Sequence, residues 1–353
     1  MHVALLANLK KNAPTWEGMA PDRWDDLDSE ETIEAITTAL ESGGHHVTFL
    51  EGNITLAQRL ADASPDICFN ISEGHFGDSR EAHVPTILEM MRIPYTGSRV
   101  LTLALALDKP MTKRVLVYHK LPTPAFQVFE RVNEPLDADM PFPLFVKPSR
   151  EGTGMGVSPE SIVRDEAQLR TQLRRQFELY DQPILVEQFI EGRELTVGVV
   201  GNLTSPVAWR LPEDEEAARV QRGLSFLPPM EIDMSRYETE AGIYTSRIKT
   251  ELVHDFHWHC PAPLEQVQVE ELNWLTAATF RVIGCQDVAR VDFRLDANDG
   301  DKPYILEVNP LPGLNPEYSD LCIEARAAGW SYEDLVNRIL DEAVERAGLL
   351  AQI

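Results

Sequence analysis

Two alternating runs of apolar and polar residues around one turn limit most strongly how this chain can fold. The stretch "ARVDFRLDANDGDKPYILEVN" has these runs on either side of the turn-forming "ANDGDK", which predicts an antiparallel β-hairpin. With the turn centred after Asp299, Asp292 lies opposite Glu307 and Arg290 lies opposite Asn309. Because side chains alternate between faces along a strand, these four polar side chains share one face. The other face is expected to be apolar and to contain Ala289, Val291, Phe293, Leu295, Tyr304, Leu306 and Val308.

The facing acids of this hairpin need an explanation. Alternation alone favours a half-buried hairpin with a solvated polar face, and that alternative stays open. However, like charges directly opposite each other destabilise a sheet by up to about 1 kcal/mol. A divalent cation bound between them makes the contribution of the pair to stability favourable. Asp292, Glu307 and the amide oxygen of Asn309 form an all-oxygen set that suits Mg²⁺, which completes its shell with phosphate and water. The hairpin therefore indicates a nucleoside triphosphate site, with Arg290 facing the charge of the ligand.

Composition excludes several classes of function. The chain has 353 residues, 43% of them hydrophobic and 25% charged, which is typical of a globular protein with two or three domains. Its net charge of -25 argues against binding to nucleic acid or to an anionic membrane, since both need a basic surface. No apolar run is long enough for a membrane span and no basic leader is visible, so we expect a cytoplasmic protein. The cysteines are far apart and are expected to be reduced: Cys68, Cys260, Cys285 and Cys322.

The order of apolar runs predicts an α/β fold in three regions. A strand "HVALLAN", a helix "SEETIEAITTALESGG" capped by Ser29 and a strand "HHVTFL" open the chain, which favours a small domain with a parallel sheet at 1–107. The second region, 108–190, contains a helix, a strand, a glycine-rich loop, a second strand, a helix and a strand. The third, 191–353, contains the hairpin and ends in a helix capped by Ser331.

One long segment, 211–263, lacks clear periodicity. Such segments inside compact domains are often functional, and we interpret this one as a lid. It contains "HDFHWHCP", with His254, His257, His259 and Cys260. Two histidines two residues apart on a strand share a face, so a zinc site remains an alternative to a simple polar lid segment.

A glycine-rich loop follows a buried strand in the second region. "VKPSREGTGMGVS" supplies Lys147 and then Gly152, Gly154 and Gly156, whose backbone N–H groups can approach phosphate oxygens because no Cβ intervenes. The loop is neither a Walker A motif nor a dinucleotide fingerprint. Taken alone, such a loop is more often an ordinary turn.

A connector rich in glutamate follows. "LVEQFIEGREL" places Glu187 and Glu194 around a segment whose main-chain groups, from Gln188 to Ile190, could pair with the edge of a purine. On an exposed segment these charges would have no role. A lysine at Lys109, the strand lysine with its loop, this connector and the downstream acids occur in one order, which favours nucleotide binding.

These motifs together resemble the ATP-grasp superfamily and, within it, the D-alanine:D-alanine ligase family. "IPYTGS", "ALALDK", "LPTP", "VKPSREGTGMGVS", "VEQFIEGRELTV", "ARVDFRLD" and "EVNPLPGLNP" match that family in order and approximate spacing from about residue 66 to 317. The resemblance implies an N-terminal parallel α/β domain and two ATP-grasp subdomains, 108–190 and 191–353, that clasp ATP between two sheets. It also implies a homodimer that joins a carboxylate to an amine, both from amino acids, through an acyl phosphate.

The resemblance also assigns site residues. Nucleotide contacts fall on two lysines, the glycine-rich loop and the connector: Lys109, Lys147, Glu151, Gly152, Gly154, Met155, Gly156, Glu187, Gln188, Phe189, Ile190 and Glu194. The metal ligands would be Asp292, Glu307 and Asn309, holding two Mg²⁺ ions, with Mn²⁺ as an alternative. Catalytic roles fall on Arg290, on Lys249 in the mobile loop over the phosphates, and on Thr153, which replaces the family's loop serine.

The amino-acid half of the family pattern is altered. "ANLKKNAPTW" lacks the glutamate that holds the first substrate's ammonium in the family, and Glu73 or Glu81 is a candidate replacement. After Gly313, the best match to the family serine that binds the second substrate's carboxylate is Tyr318, with Ser319 next to it. The tyrosine of the mobile loop is Thr250.

Three hypotheses follow from this pattern. The first is an ATP-dependent carboxylate–amine ligase, like the D-alanine:D-alanine ligases, whose substrates need not be two D-alanines. The second is a biosynthetic ligase that joins an amino acid to a different acceptor. The third, from another class, is a regulatory protein that binds ATP without catalysis; the complete set of lysines, arginine and metal ligands argues against it.

Overall fold

A computed structural model describes residues 1–204, 223–233 and 257–349 of the chain. Within these ranges the chain forms three β-sheets with packed helices, so the mixed α/β class predicted from the sequence is confirmed. None of the helices in these ranges is both long and apolar enough to cross a membrane.

The N-terminal part forms a parallel sheet with helices on both faces. Val3 and Leu5 pack toward one face, whereas Ala4 and Leu6 pack toward the other, as expected for a strand buried on both sides. The predicted cap is present, because the Ser29 side chain accepts a hydrogen bond from the Thr32 N–H. The strands run in the order β2-β1-β3, and the elements are β1 (His2–Ala7), α1 (Glu30–Ser42), β2 (His46–Glu51), α2 (Leu56–Ala63), β3 (Ile67–Asn70) and α3 (His83–Met91).

The middle part forms an antiparallel sheet covered by one amphipathic helix. Its elements are α4 (Val100–Leu107), α5 (Lys109–Tyr118), β4 (Phe126–Phe129), β5 (Leu144–Pro148), β6 (Ile162–Val163), α6 (Glu166–Leu179) and β7 (Ile184–Gln188), with strand order β4-β7-β5-β6. Leu169 and Leu173 of α6 pack on Leu144, Val146 and Val186 of the sheet. The strand expected directly after the glycine-rich loop is shorter and begins later than predicted, because a 3-10 turn at Pro159–Ser161 precedes it.

The last part forms a larger antiparallel sheet. Its elements are β8 (Gly192–Gly201), β9 (Leu224–Phe226), β10 (Met230–Ile232), β11 (Trp258–His259), α7 (Gln266–Ile283), β12 (Val288–Asp296), β13 (Lys302–Asn309), α8 (Asp320–Ala327) and α9 (Tyr332–Arg346). The order is β11-β10-β8-β12-β13, and β9 also pairs with β8. The irregular segment expected at 211–263 therefore contains short strands that extend this sheet. That expectation was wrong for 224–226, 230–232 and 258–259, because pairing with neighbouring strands and not local periodicity fixes these strands.

The predicted hairpin is present, with one irregularity. Asp292 pairs with Glu307 and Arg290 pairs with Asn309, as predicted, but Phe293 pairs with Ile305. Leu306 is therefore an extra residue, a β-bulge.

This bulge reverses the faces of the distal half of β13. Ile305 is fully buried in the core, whereas Leu306 lines the cleft described below. The expectation that Tyr304 and Leu306 lie on the apolar face was wrong for this reason.

The two ends of the chain share one core. Helix α9 packs against α1, and Leu335, Ile339 and Leu340 of α9 join Val3 and Ile36 in a single buried cluster. The predicted cap of α9 is also present, since Ser331 accepts a hydrogen bond from the Asp334 N–H and its own N–H donates to the Asp334 carboxylate.

Candidate active site

A cleft lies between the two antiparallel sheets. One wall comes from the β4–β7 sheet, with Phe145, Lys147 and the end of β7, and the other comes from the β8–β13 sheet, with Leu195, Asp292 and Leu306. Most nucleotide-site candidates line it: Lys109, Lys147, Glu151, Gly154, Met155, Glu187, Gln188, Phe189, Ile190 and Glu194.

The glycine-rich loop forms one rim of the cleft in a strained backbone conformation. Thr153, Gly154 and Gly156 all have positive φ values, of 51°, 72° and 73°, which glycine adopts at little cost and threonine does not. A Cβ at Gly156 would lie 2.6 Å from the Pro148 ring, so this glycine also permits a close approach. The Gly156 N–H donates to the Asp22 carboxylate at 2.8 Å, which ties the loop to the N-terminal part of the chain.

The Glu151 carboxylate is occupied by protein contacts. It accepts hydrogen bonds from Arg23 and Gln182 and lies 3.4 Å from Arg80. Its backbone oxygen accepts a hydrogen bond from the Lys109 ammonium. Glu151 therefore holds the loop and Lys109 in place, and its side chain is directed toward the N-terminal part.

A buried ion-pair network lies on the wall of the cleft that the β4–β7 sheet forms. The two oxygens of the Glu187 carboxylate each lie 2.7 Å from a lysine, Lys147 on one side and Lys113 on the other. Lys113 also donates to the Thr123 hydroxyl at 2.8 Å, and Thr123 donates to the Ile305 carbonyl. The network thus links the β4–β7 sheet to α5 and the hairpin.

Burial and charge oppose each other in this network. Burial lowers the pKa of Lys113, and Glu187 only partly offsets this effect. Burial also acts to lower the pKa of Lys147, but the carboxylates of Glu187 and Glu307 outweigh it and raise that pKa. Burial acts to raise the pKa of Glu187, yet the two lysines hold it below its ordinary value. Glu187 and Lys147 therefore favour each other's charged forms, whereas burial of Lys113 opposes its charge.

Lys113 was not predicted as a site residue, although a signal was present. Lys109 and Lys113 are four residues apart at the start of α5, so their side chains share a helix face. Glu187 lines the cleft and both of its carboxylate oxygens face lysines, so its assignment to the nucleotide site stays a prediction.

The charge of Glu187 is expected to be needed for stability. Replacing it with glutamine leaves two lysines with nearly buried side chains, 1% and 10% exposed, without their carboxylate. We expect Glu187→Gln to lower the free energy of unfolding by about 3–5 kcal/mol, measured by urea denaturation. The control is Glu191→Gln, an exposed glutamate at the end of the same connector; equal stability of the two variants would contradict the prediction.

Some backbone N–H groups of the connector already donate hydrogen bonds within the protein. The Gln188 N–H donates to the Ala125 carbonyl and the Phe189 N–H donates to the Pro143 carbonyl. Within the part of the chain that the structure describes, the Ile190 N–H has no such partner. Arg294 stacks over the Phe189 ring at 4.8 Å and lies 3.4 Å from Glu194, so a flat, partly aromatic wall adjoins this donor.

The hairpin acids face the cleft. Both oxygens of Asp292 accept hydrogen bonds from Arg290, one also accepts from the Thr196 hydroxyl, and the other accepts from the Asn309 amide, at 2.8–2.9 Å. Arg290 also lies 3.4 Å from Asp320. The opposing acid, Glu307, lies 3.4 Å from the Lys109 ammonium. The hairpin therefore brings two carboxylates, an amide and two cations to one place.

A second cavity adjoins the cleft and contains the residues predicted to bind the amino acids. Lys109, Glu151, Arg290, Glu307 and Asp320 line both spaces and form their common wall. The rest of the second cavity includes all five predicted substrate residues, together with two loop residues: Glu73, Glu81, Gly313, Tyr318, Ser319, Gly152 and Thr153.

The turn after the hairpin shapes this second cavity. The Ser319 hydroxyl accepts a hydrogen bond from the Asn315 N–H at 2.9 Å, and a Cβ at Gly313 would lie 3.0 Å from that hydroxyl. Tyr318 is 42% exposed. Asp26 and Asp28 also line the cavity and were not predicted. The acid-rich run "PDRWDDLDSE" after β1 was the available signal.

Some predicted residues lie outside the described ranges. These are Lys249, Thr250 and His254. His259 lies 3.7 Å from Asp233, and in residues 1–204, 223–233 and 257–349 no group of three or more His, Cys, Asp or Glu side chains is arranged to hold a metal ion. The zinc alternative therefore has no support from the described part of "HDFHWHCP".

The fold and the cleft define the class of this protein. An N-terminal parallel sheet and two antiparallel sheets that face each other over a cleft lined by lysines and paired acids form the ATP-grasp fold. The chain belongs to the D-alanine–D-alanine ligase family, so it is an ATP-dependent ligase that forms carbon–nitrogen bonds. Residues 116–215 and 226–341 match the family model described as "D-ala D-ala ligase C-terminus".

Individual relatives support this assignment. The chain is 35% identical to a D-alanine–D-alanine ligase from Syntrophotalea carbinolica, over 94% of this chain and 95% of that protein. It is 34% identical to "Uncharacterized protein y4sG" from Sinorhizobium fredii, over 89% and 87% of the two chains. The crystal structure of a D-alanine–D-alanine ligase from Bacillus anthracis complexed with ATP has the same fold, with a TM-score of 0.71 over 99% of both chains at 22% identity. The family resemblance inferred from the motifs is thus confirmed.

Proposed function

We propose that this ligase activates the carboxylate of one amino acid with ATP and Mg²⁺ in the cleft and joins it to the amine of a second substrate in the adjoining cavity. One observation carries the proposal. The charged wall of Lys109, Glu151, Arg290, Glu307 and Asp320 belongs to both spaces, so phosphoryl donor and amino-acid carboxylate can meet there.

We propose the following placement of ATP. The Lys109 and Lys147 ammonium groups face the phosphates, and the glycine-rich loop, Glu151 to Gly156, covers them. The Ile190 N–H is the backbone donor available to the purine edge, beside the Phe189 ring. Glu194 takes the ribose hydroxyls, because its carboxylate lines the same cleft.

We propose that Asp292, Glu307 and Asn309 hold Mg²⁺, with two ions as the expected number and Mn²⁺ as an alternative. The donor chemistry fits, since all three supply oxygen atoms and two are carboxylates on facing strand positions. A carboxylate has about four lone-pair sites, and Asp292 already accepts four hydrogen bonds. Metal binding at Asp292 therefore replaces at least one of them, and the metal, when bound, neutralises phosphate charge.

The protein's own residues then act mainly by position and charge. A substrate carboxylate oxygen attacks the γ-phosphorus, ADP leaves, and the amine displaces phosphate from the acyl phosphate to form the amide. Arg290 faces the charge that develops on the transferring phosphoryl group. Thr153, in the loop, and Lys249, in the segment expected to act as a lid, are proposed to help hold the phosphates while water is excluded.

We propose that the substrates are not two D-alanines, although several relatives are named for that pair. The basis is the acid-rich second cavity, described further below, and Tyr318 at the position of the family's serine. We also propose a homodimer in the cytoplasm, and functional units at 1–107, 108–190 and 191–353.

The test is ADP release against a matrix of amino-acid carboxylates and amines, with mass spectrometry of the products. We expect Mg²⁺-dependent ADP release that needs a pair of substrates and yields a product with the mass of the pair minus one water. Release with D-alanine as the only productive amino acid would contradict the substrate proposal. ATP binding without turnover anywhere in the matrix would contradict the ligase function.

A further inference from the structure

The second cavity is strongly acidic. Eight carboxylates and two bases are among the side chains that line it. Four of the acids gather at the end nearest the N-terminal sheet: Asp26 and Asp28 follow β1, and Glu73 and Glu81 follow β3. A cavity for two zwitterionic amino acids does not need this excess.

Other acids of the cavity have basic partners. Asp25 lies 2.7 Å from Lys10, Glu307 lies near Lys109, and Asp320 lies near Arg290. Glu151 is held by Arg23 and Arg80. These four carboxylates are thus balanced by the protein itself.

The remaining acids are not balanced in this way. Within the described residues, the carboxylates of Asp28, Glu73 and Glu81 make no hydrogen bond or ion pair at contact distance. The Asp26 side chain is only 5% exposed, and one of its oxygens pairs with Arg80 while the other has no hydrogen-bond partner. An unpartnered oxygen on a nearly buried carboxylate is rare in folded proteins, because leaving such a group unmatched is costly.

Arg80, the guanidinium that pairs with Asp26, cannot serve all four acids. Arg80 donates to the Asp26 carboxylate at 2.9 Å and to the Arg150 carbonyl at 2.7 Å, and it lies 3.4 Å from Glu151. Its direct contacts are therefore with Asp26 and the loop. Burial raises the pKa of Asp28 to about 8, and the neighbouring Asp26 adds to this effect. Burial and the charge of Glu81 raise the pKa of Glu73 as well.

The missing charge is better supplied by an organic cation than by a metal ion. No three acids, histidines or cysteines of the described ranges are arranged to hold a metal, so the four carboxylates lie at one end of the cavity without converging on one point. A spread arrangement suits ammonium or guanidinium groups, which donate several hydrogen bonds in different directions. A single α-ammonium would offset one carboxylate and leave the others unmatched.

We propose that one substrate of this ligase is a basic amino acid, whose second cationic group is held by Asp28, Glu73 and Glu81. This inference rests on the ligase function proposed above. The substrate would then carry a side-chain ammonium or guanidinium in addition to its α-amino group, and the altered N-terminal loop would select for this second charge. An uncharged substrate would leave these carboxylates without a partner, and unmatched polar groups in a site typically cost a large factor in specificity.

The test compares matched pairs that differ in this charge. Lysine is paired with norleucine and arginine with citrulline, in both enantiomeric forms, within the matrix of second substrates. We expect kcat/KM for ADP release to be at least about 100-fold higher for one charged member than for its neutral partner. Thermal shifts with the same compounds, measured without ATP, test binding to the cavity independently of turnover, and we expect the charged member to give the larger shift.

The matched variants are Glu73→Gln and Glu41→Gln. Removing one unpaired acid from an acidic cluster relieves repulsion, so Glu73→Gln is expected to fold. It should reduce the preference for the charged member at least about tenfold, while Glu41→Gln, an exposed acid on α1, leaves it unchanged.

The outcomes separate the two proposals. If kcat/KM for ADP release is equal for the neutral and the charged members, the inference is overturned and the ligase function is retained. No ADP release, but larger thermal shifts with the charged members, overturns the ligase function and supports the cation site. Neither turnover nor a difference in thermal shift overturns both.

Discussion

Replacing Asp292 with asparagine is expected to reduce kcat/KM for ADP release by about 1,000-fold. The substitution keeps the shape of the side chain but removes one of the two charges proposed to hold Mg²⁺ against the phosphates. Electrostatic groups that act on a developing charge in a site shielded from water contribute about 100- to 1,000-fold each, and a metal ligand also positions the ion.

The control for this variant is Asp299→Asn. Asp299 lies in the turn of the same hairpin, is exposed and interacts only weakly with Lys302, at 3.6 Å. Its activity should remain within twofold of the wild-type value. Both variants are checked by urea denaturation, and a folded Asp292→Asn protein with activity within tenfold of wild type would remove Asp292 from the proposed metal site.

Replacing Arg290 with lysine is the second large change. Lysine keeps the charge but cannot form the two parallel hydrogen bonds that Arg290 makes to Asp292. An arginine that stabilises the transferring phosphoryl group is worth about 1,000- to 100,000-fold in kcat. Because part of the charge effect remains, we expect Arg290→Lys to lower kcat by about 100- to 1,000-fold with little change in the Kd for ATP.

The measurement separates the step affected. Equilibrium binding of ATP gives Kd, and steady-state ADP release gives kcat. Arg131→Lys, at an exposed position on the middle part of the chain, is the control and should match wild type in both. If Arg290→Lys weakened ATP binding and left kcat unchanged, Arg290 would be a nucleotide-binding residue and not one that acts on the transition state.

The hairpin was predictable because its information is local. Alternation and one turn were enough to place Asp292 opposite Glu307 and Arg290 opposite Asn309. The bulge at Leu306 was not predictable, since nothing in "YILEVN" distinguishes an extra residue from a paired one. Packing of Ile305 in the core, which the sequence does not display, decides it.

The helices also divide into those that local sequence predicts and those that packing in the fold determines. Helices α1 and α9 were predicted from their caps and periodicity, whereas α4 was not. Its sequence, "VLTLALAL", is apolar on nearly every side, so no helical period can be seen in it, and burial against neighbouring elements fixes its structure. Short helices such as α8 give too few turns for a period to be recognised.

Site residues that depend on contacts across the fold were the hardest to predict. The two lysines that share Glu187 come from α5 and β5, and the acidic end of the second cavity combines loops that follow β1 and β3. The order of the motifs predicted the cleft, because the family pattern is intact there. It did not predict the acids that face the substrate, because the pattern changes in that part of the sequence.

The shared core of α1 and α9 affects how the protein can be made. The apolar side of the first sheet is completed by α9, which is synthesised after every other helix and strand of the described residues. During translation the nascent N-terminal sheet therefore exposes Val3, Ile36 and their neighbours until the ribosome has released α9, and exposed apolar surface of this kind recruits chaperones or aggregates. Expression of an N-terminal fragment alone would leave the same surface without its cover.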